Sequence, residues 1–131
     1  MNISKIKEVV TLTYEGKMNF PQVVGALLNE GIESYHVDYV RSENRYYLPN
    51  GESHVETVPH KFPTPERNFS ADKVKESIKR IQAGEINYNT FSNEIIHAGC
   101  AYYIAYLSGK QVIYFGRNGD LHIEHFPKGN S

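Results

Sequence analysis

Shifted by 68 residues, the chain aligns on itself without a gap, residues 6–59 falling on 74–127. Twelve of the 54 aligned positions are identical, where average composition gives roughly three or four by chance. The identical pairs are Lys7/Lys75, Glu8/Glu76, Gly16/Gly84, Asn19/Asn87, Gly31/Gly99, Tyr35/Tyr103, Tyr46/Tyr114, Asn50/Asn118, Gly51/Gly119, His54/His122, Glu56/Glu124 and Pro59/Pro127. Apolar exchanges such as Val10/Ile78, Leu27/Ile95 and Val55/Ile123 fill the intervals. A tandem duplication explains this pattern. Two copies are too few for a solenoid, so they are expected to pack face to face about a pseudo-twofold axis, as a single domain over 1–131 with one shared core.

Each copy carries the same local signals. A first helix follows an N-cap candidate, Ser4 or Asp72, with apolar residues at helical spacing (Ile6, Val9, Val10; Val74, Ile78, Ile81). Gly16 and Gly84 stop it where a left-handed backbone is wanted. A second helix starts at Asn19 or Asn87 and ends at Gly31 or Gly99. Pro21 is tolerated in its first turn, where an N–H has no helical acceptor. Three strands follow. Tyr35, Val37 and Tyr39 alternate with polar residues, the period of a half-buried strand. Their counterpart AYYIAYLS is apolar nearly throughout and is expected to be covered on both faces. Asn50-Gly51 and Asn118-Gly119 predict tight two-residue hairpins. The organisation is therefore repeat 1 over 3–59, a Pro-rich linker over 60–71, repeat 2 over 72–127 and a tail over 128–131. The fold class is α+β, two tandem α-α-β-β-β repeats with an antiparallel sheet.

Composition narrows the partners. Lys+Arg of 14 against Asp+Glu of 15 leaves a net charge of -1, without the basic excess of a nucleic-acid or membrane-surface binder. No apolar run approaches the ~18 residues of a membrane span, and MNISKIKEVV has no apolar stretch of signal-peptide type. The expected setting is cytoplasmic, with a small molecule or a protein as partner and no nucleic acid or membrane. The single Cys100 leaves no disulfide framework and no multi-cysteine zinc site.

The best candidate for chemistry is the repeated H-[VI]-E. Alternation places His54 with Glu56, and His122 with Glu124, on one strand face each. A two-residue turn sets His122 opposite Phe115, Glu124 opposite Ile113, His54 opposite Tyr47 and Glu56 opposite Arg45. Such a pair on a partly apolar face can do acid–base work. Two pairs related by a twofold axis can converge on one metal through His54 and His122. A structural role, each histidine donating to its carboxylate, is the favoured reading, since duplicated active sites usually diverge whereas these pairs are kept in both copies. His36 and Asp38 form a second polar pair, replaced by Ile104 and Tyr106 in the other copy. Solvent exposure of this strand face is the favoured explanation; a functional asymmetry is the other, and with Tyr103 they are then the candidate ligand-binding residues. Cys100 follows a helix C-terminus, where the dipole disfavours a thiolate, and reads as a packing residue. Nucleotide-loop, zinc-protease and serine-hydrolase motifs are absent, and no cofactor is implied. The strand tyrosines lack the interleaved basic residues that base stacking needs.

Tyr35–Tyr39 (Y-H-V-D-Y), the Tyr114–Asp120 hairpin and the His122–Pro127 ending together resemble the small bacterial YdfO-like family of unknown function. Its members are often labelled phage envelope protein and are frequent in prophage regions. The resemblance spans about residues 3 to 127. It implies an α+β fold with two internal repeats, and it brings no catalytic or binding residues. Two functions remain open on the sequence. One is a non-catalytic binding module with its ligand or protein partner in the groove between the repeats. The other is a small hydrolase or isomerase working through a His-Glu pair, with or without a metal. Homodimerisation through an edge strand is compatible with both.

Overall fold

The computed structural model describes residues 1–127; the expected tail over 128–131 lies outside them. Its elements run α1 (Ile3–Tyr14), α2 (Phe20–Asn29), β1 (Ser34–Asp38), β2 (Glu43–Tyr47), β3 (Ser53–Thr57), α3 (Ala71–Gln82), α4 (Tyr88–His97), β4 (Cys100–Tyr106), β5 (Gln111–Gly116) and β6 (Leu121–His125). The α-α-β-β-β order occurs twice, and the strands form one six-stranded antiparallel sheet. Among the described residues no helix is long and apolar enough to cross a membrane.

The two halves meet edge to edge rather than face to face. Strand order is β3-β2-β1-β4-β5-β6, so the first strand of each half lies at the centre. β1 and β4 pair antiparallel with His36 opposite Ile104. These two residues are also equivalent in the 68-residue alignment, so a local twofold axis passes between them. The Tyr39 N–H donates to the Ala101 carbonyl at 3.0 Å. Alternation then makes His36/Ile104 a non-hydrogen-bonded pair, with Cα atoms about 4.5 Å apart.

Local chemistry sets the ends of the elements. Asn19 and Asn87 cap α2 and α4 as expected, their side chains accepting from the Gln22 and Thr90 N–H groups. The first helix of each half starts earlier than Ser4 or Asp72. Asn2 Oδ1 accepts from the Lys5 N–H and Ser70 Oγ from the Lys73 N–H. Both caps precede the helix by one residue, which leaves Ser4 and Asp72 inside the first turn.

The hairpins also depart from expectation. Gly51 (φ +93°) and Gly119 (φ +88°) are left-handed, but Asn50 and Asn118 are not. Leu48 bonds to Glu52, and Gly116 to Asp120, each across a three-residue loop. That is a type I turn closed by a left-handed glycine, rather than a two-residue turn. The partners therefore shift by one residue. His54 stands opposite Tyr46, Glu56 opposite Asn44, His122 opposite Tyr114 and Glu124 opposite Val112. A one-residue shift moves a side chain to the other face, so all four lie on the helix-covered face.

That face is the core. Tyr35, Val37, Tyr46, Tyr103, Ala105, Val112 and Tyr114 pack against Ile6, Val9 and Val10 of α1, Leu27 of α2, Val74 and Ile78 of α3, and Phe91, Ile95 and Ile96 of α4. Each buried tyrosine contributes on the order of 2 kcal/mol of apolar burial. Their rings interlock: Tyr35 stacks on Tyr46 at 5.6 Å, and Tyr103 lies 5.4 Å from Tyr114. The Tyr88 and Tyr103 hydroxyls share a 2.6 Å hydrogen bond, and Tyr39 Oη is 3.0 Å from Ser92 Oγ. The 60–71 segment contains no helix or strand apart from the first residue of α3. It lies against the core through Phe62, edge-on to Tyr39 at 4.9 Å. The Glu66 and Ser70 N–H groups tie it to the Ile96 and Ala98 carbonyls.

Candidate functional site

All four helices pack on one side of the sheet, so the other side is left open. Its central row, read across the strands, is Val55, Arg45, His36, Ile104, Ile113 and Ile123. The row towards the β5–β6 turn is Thr57, Glu43, Asp38, Tyr102, Phe115 and Leu121. None of these side chains joins the core. Tyr102, Leu121 and Ile123 are 40%, 51% and 43% exposed. The expectation that β4 is covered on both faces therefore fails. Its alternating Tyr102, Ile104 and Tyr106 are apolar, yet no element lies over them.

The open face is polar over the first repeat and apolar over the second. All four identical strand pairs, Tyr35/Tyr103, Tyr46/Tyr114, His54/His122 and Glu56/Glu124, lie on the covered face. On the open face every pair differs: Ser34/Tyr102, His36/Ile104, Asp38/Tyr106, Arg45/Ile113 and Ser53/Leu121 among them. Packing against helices accounts for these four pairs, although Val37/Ala105 and Asn44/Val112 differ on the same face. The open face has no such constraint.

A shallow concavity of about 490 Å³ crosses the β1–β4 junction on this face. Tyr102, Ile104 and Phe115 form its floor, His36 and Asp38 one wall, and the β5–β6 turn with Arg117 the other. The His36 ring lies 4.9 Å from that of Tyr47. Partial burial, and then the nearby Arg45 guanidinium, pull its pKa below the usual imidazole value. At neutral pH it is an uncharged ring that can donate or accept. Asp38 Oδ1 accepts from the Val40 and Arg41 N–H groups, both at 3.0 Å. The structure thus brings His36 and Asp38 together at the concavity. Tyr103, the third expected ligand residue, lies on the opposite face, 4% exposed. Alternation along β4 puts Tyr102 in the concavity instead. Phe115 reaches the concavity by pairing opposite Tyr102 on β4, and Arg117 from the turn that follows β5; neither placement is signalled by a sequence motif.

The two His-Glu pairs are not brought together. They occupy β3 and β6, the opposite edges of the sheet, five strand spacings or about 24 Å apart. His54 Nε2 donates to Glu56 Oε2 at 2.7 Å, and His122 Nε2 to Glu124 Oε1 at 3.0 Å. Lys7 Nζ adds a 2.9 Å ion pair to Glu56. Each histidine ends a tyrosine row, and the His122 ring is stacked on Tyr114 at 6.4 Å. Among the described residues no three His, Cys, Asp or Glu side chains converge as a metal site. Cys100 is fully buried, its Sγ 3.4 Å from the Tyr102 carbonyl, and burial pushes its thiol up to about 12. It is a packing residue.

A sequence profile of proteins of unknown function matches residues 13–125, from the end of α1 through β6. The chain belongs to the DUF1398 family. The DUF1398 match spans both halves, so the central β1–β4 junction and the open face lie within the family's region. No curated protein matches the chain.

Burial alone would raise the Glu56 pKa, but hydrogen bonds from Lys7 and His54, with their charges, outweigh it and the net shift is downward. A carboxyl lowered on folding stabilises above its unfolded value, about 4.5, and that contribution is lost as pH falls through the folded value. Glu56→Gln is therefore expected to melt below wild type at pH 7. The gap should narrow steadily as melts are repeated below pH ~4.5. A gap that stays constant across this range would show that the carboxylate charge is not what matters.

Proposed function

We propose that this protein is a non-catalytic binding module whose working surface is the open face of the sheet, centred on the β1–β4 concavity. The observation that carries the reading is the contrast between faces. All four identical strand pairs lie on the covered face, whereas no open-face pair is identical and the open face sets an apolar half beside a polar half. Exposed apolar patches of this kind mark ligand or partner surfaces. The concavity also lies between the repeats, where a ligand groove is expected from the duplication. A small accessory binder suits the resemblance to prophage-encoded proteins.

The same reading makes the His-Glu pairs structural. A sheet edge offers unpaired N–H and C=O groups to another strand, and inward-pointing charged side chains on edge strands discourage such pairing. His54/Glu56 and His122/Glu124 sit at the same place on the two edges, and each pair satisfies its own polar groups. This accounts for their retention in both halves without an active site.

Two measurements test the proposal. Amide shift mapping with a panel of small fragments should place the perturbed residues on β1, β4 and β5. Hits gathered instead in the helix groove of Lys73, Glu76, Arg80 and His97 would move the working surface elsewhere. Separately, His122→Val with Glu124→Val should turn β6 into an adhesive edge, seen as new oligomers by size-exclusion chromatography. A double variant that elutes and stays soluble like wild type would remove the guarding role.

A further inference from the structure

The concavity holds two opposite charges that do not pair with each other. Among the described residues neither Asp38 nor Arg117 takes part in an ion pair. Both are nevertheless held. Two backbone N–H groups fix Asp38 Oδ1, and among the described residues no hydrogen-bond donor reaches its Oδ2. Arg117 Nη1 donates to the Pro65 carbonyl at 3.1 Å, which leaves the rest of the guanidinium fork unused. Side chains already fixed in place bind at lower entropic cost. Asp38 ends β1 and Arg117 begins the β5–β6 turn, with β4 between the two strands. Their backbones lie about two strand spacings, ~10 Å, apart across the sheet, and both side chains line the same concavity. An α-amino acid carries the two complementary charges, each able to make a charge-assisted hydrogen bond of about 2.8 Å. Below lie the Tyr102 and Phe115 rings and Ile104.

We propose that this concavity binds a free α-amino acid with an apolar side chain, its ammonium on Asp38, its carboxylate on Arg117 and its side chain on Tyr102, Ile104 and Phe115. The assignment rests on the open face being the binding surface. An acid without an amine leaves Asp38 unanswered, an amine without an acid leaves Arg117 unanswered, and a residue inside a peptide carries neither charge. His36, on the Asp38 side, adds a donor or acceptor without a further charge to oppose the ammonium.

The test is an amide-shift titration of the full chain with L-phenylalanine and L-leucine, up to about 10 mM, tenfold above a weak Kd of ~1 mM. Saturable shifts on β1, β4 and β5 are expected. N-acetyl-L-phenylalanine and L-phenylalaninamide should each bind at least about tenfold more weakly. In Asp38→Asn, which keeps the Oδ1 acceptor for Val40 and Arg41, the acetyl penalty should vanish while the amide penalty stays. Arg117→Gln, at an exposed position, should do the reverse. Blocked analogues that bind as tightly as the amino acids would overturn the zwitterion and leave the face as the binding surface. If amino acids cause no shifts while other fragments map to β1, β4 and β5, the assignment again falls alone. Amino acid shifts confined to the helices would overturn both.

Discussion

The antiparallel junction of β1 with β4 is the constraint on which the rest of the molecule depends. It sets His36 against Ile104, equivalent residues of the two halves, and so fixes the local axis. Everything lateral follows from that register. Each half adds its two hairpin strands outward, so the third strands become the edges. The rows across the sheet then combine residues of both halves: Tyr46 and Tyr35 continue into Ala105 and Val112, and Tyr114 and Tyr103 into Val37 and Asn44. A register one residue away would invert one half relative to the other and bring Tyr103 to the solvent side. The tyrosine rows under the helices hold the register in place.

Joining edge to edge has a second consequence. Face-to-face packing would have covered both sides of each three-stranded sheet. The side-by-side arrangement places all four helices on one side and, among the described residues, no helix or strand on the other. The covered side is filled by interlocked rings with few free hydroxyls; burial raises the pKa of Tyr35, Tyr39, Tyr103 and Tyr114 well above the usual phenol value. These groups remain neutral and serve packing. The chemistry that can meet solvent, a neutral imidazole, a fixed carboxylate and a fixed guanidinium over aromatic rings, lies on the open side. The two halves thus share a common frame, and the strand pairs that are identical between them all lie where helices pack.

The architecture was legible because its signals are local and occur twice. Gly16, Gly31, Gly84 and Gly99 mark helix ends with left-handed backbone, and Asn19 and Asn87 mark helix starts. The errors arose where one residue decides between close alternatives. Asn-Gly suits a two-residue turn, but it suits the last two places of a three-residue loop equally well, and only the ladder shows which is used. That difference moved His54, Glu56, His122 and Glu124 across the sheet. Asn2 and Ser70 cap as well as Ser4 and Asp72 would, and geometry chose the earlier residue. Tyr102 and Tyr103 are adjacent and identical in type, so composition could not tell the open face from the core face. His36 and Asp38 were legible as a polar pair because their counterparts, Ile104 and Tyr106, are apolar. The place of Arg117 in the concavity was not legible, because no sequence motif signals it.

The central claim is that one side of the sheet is uncovered in solution, and isoleucine methyl groups report on it directly. Relaxation of these methyls by a soluble paramagnetic agent measures their access to solvent. Ile104, Ile113 and Ile123 should relax strongly, while Ile6, Ile32, Ile95 and Ile96, each at most 1% exposed, should be nearly unaffected. If the three open-face methyls were as protected as the core four, something would cover that side, a second copy included. The account of a free binding face would then be contradicted.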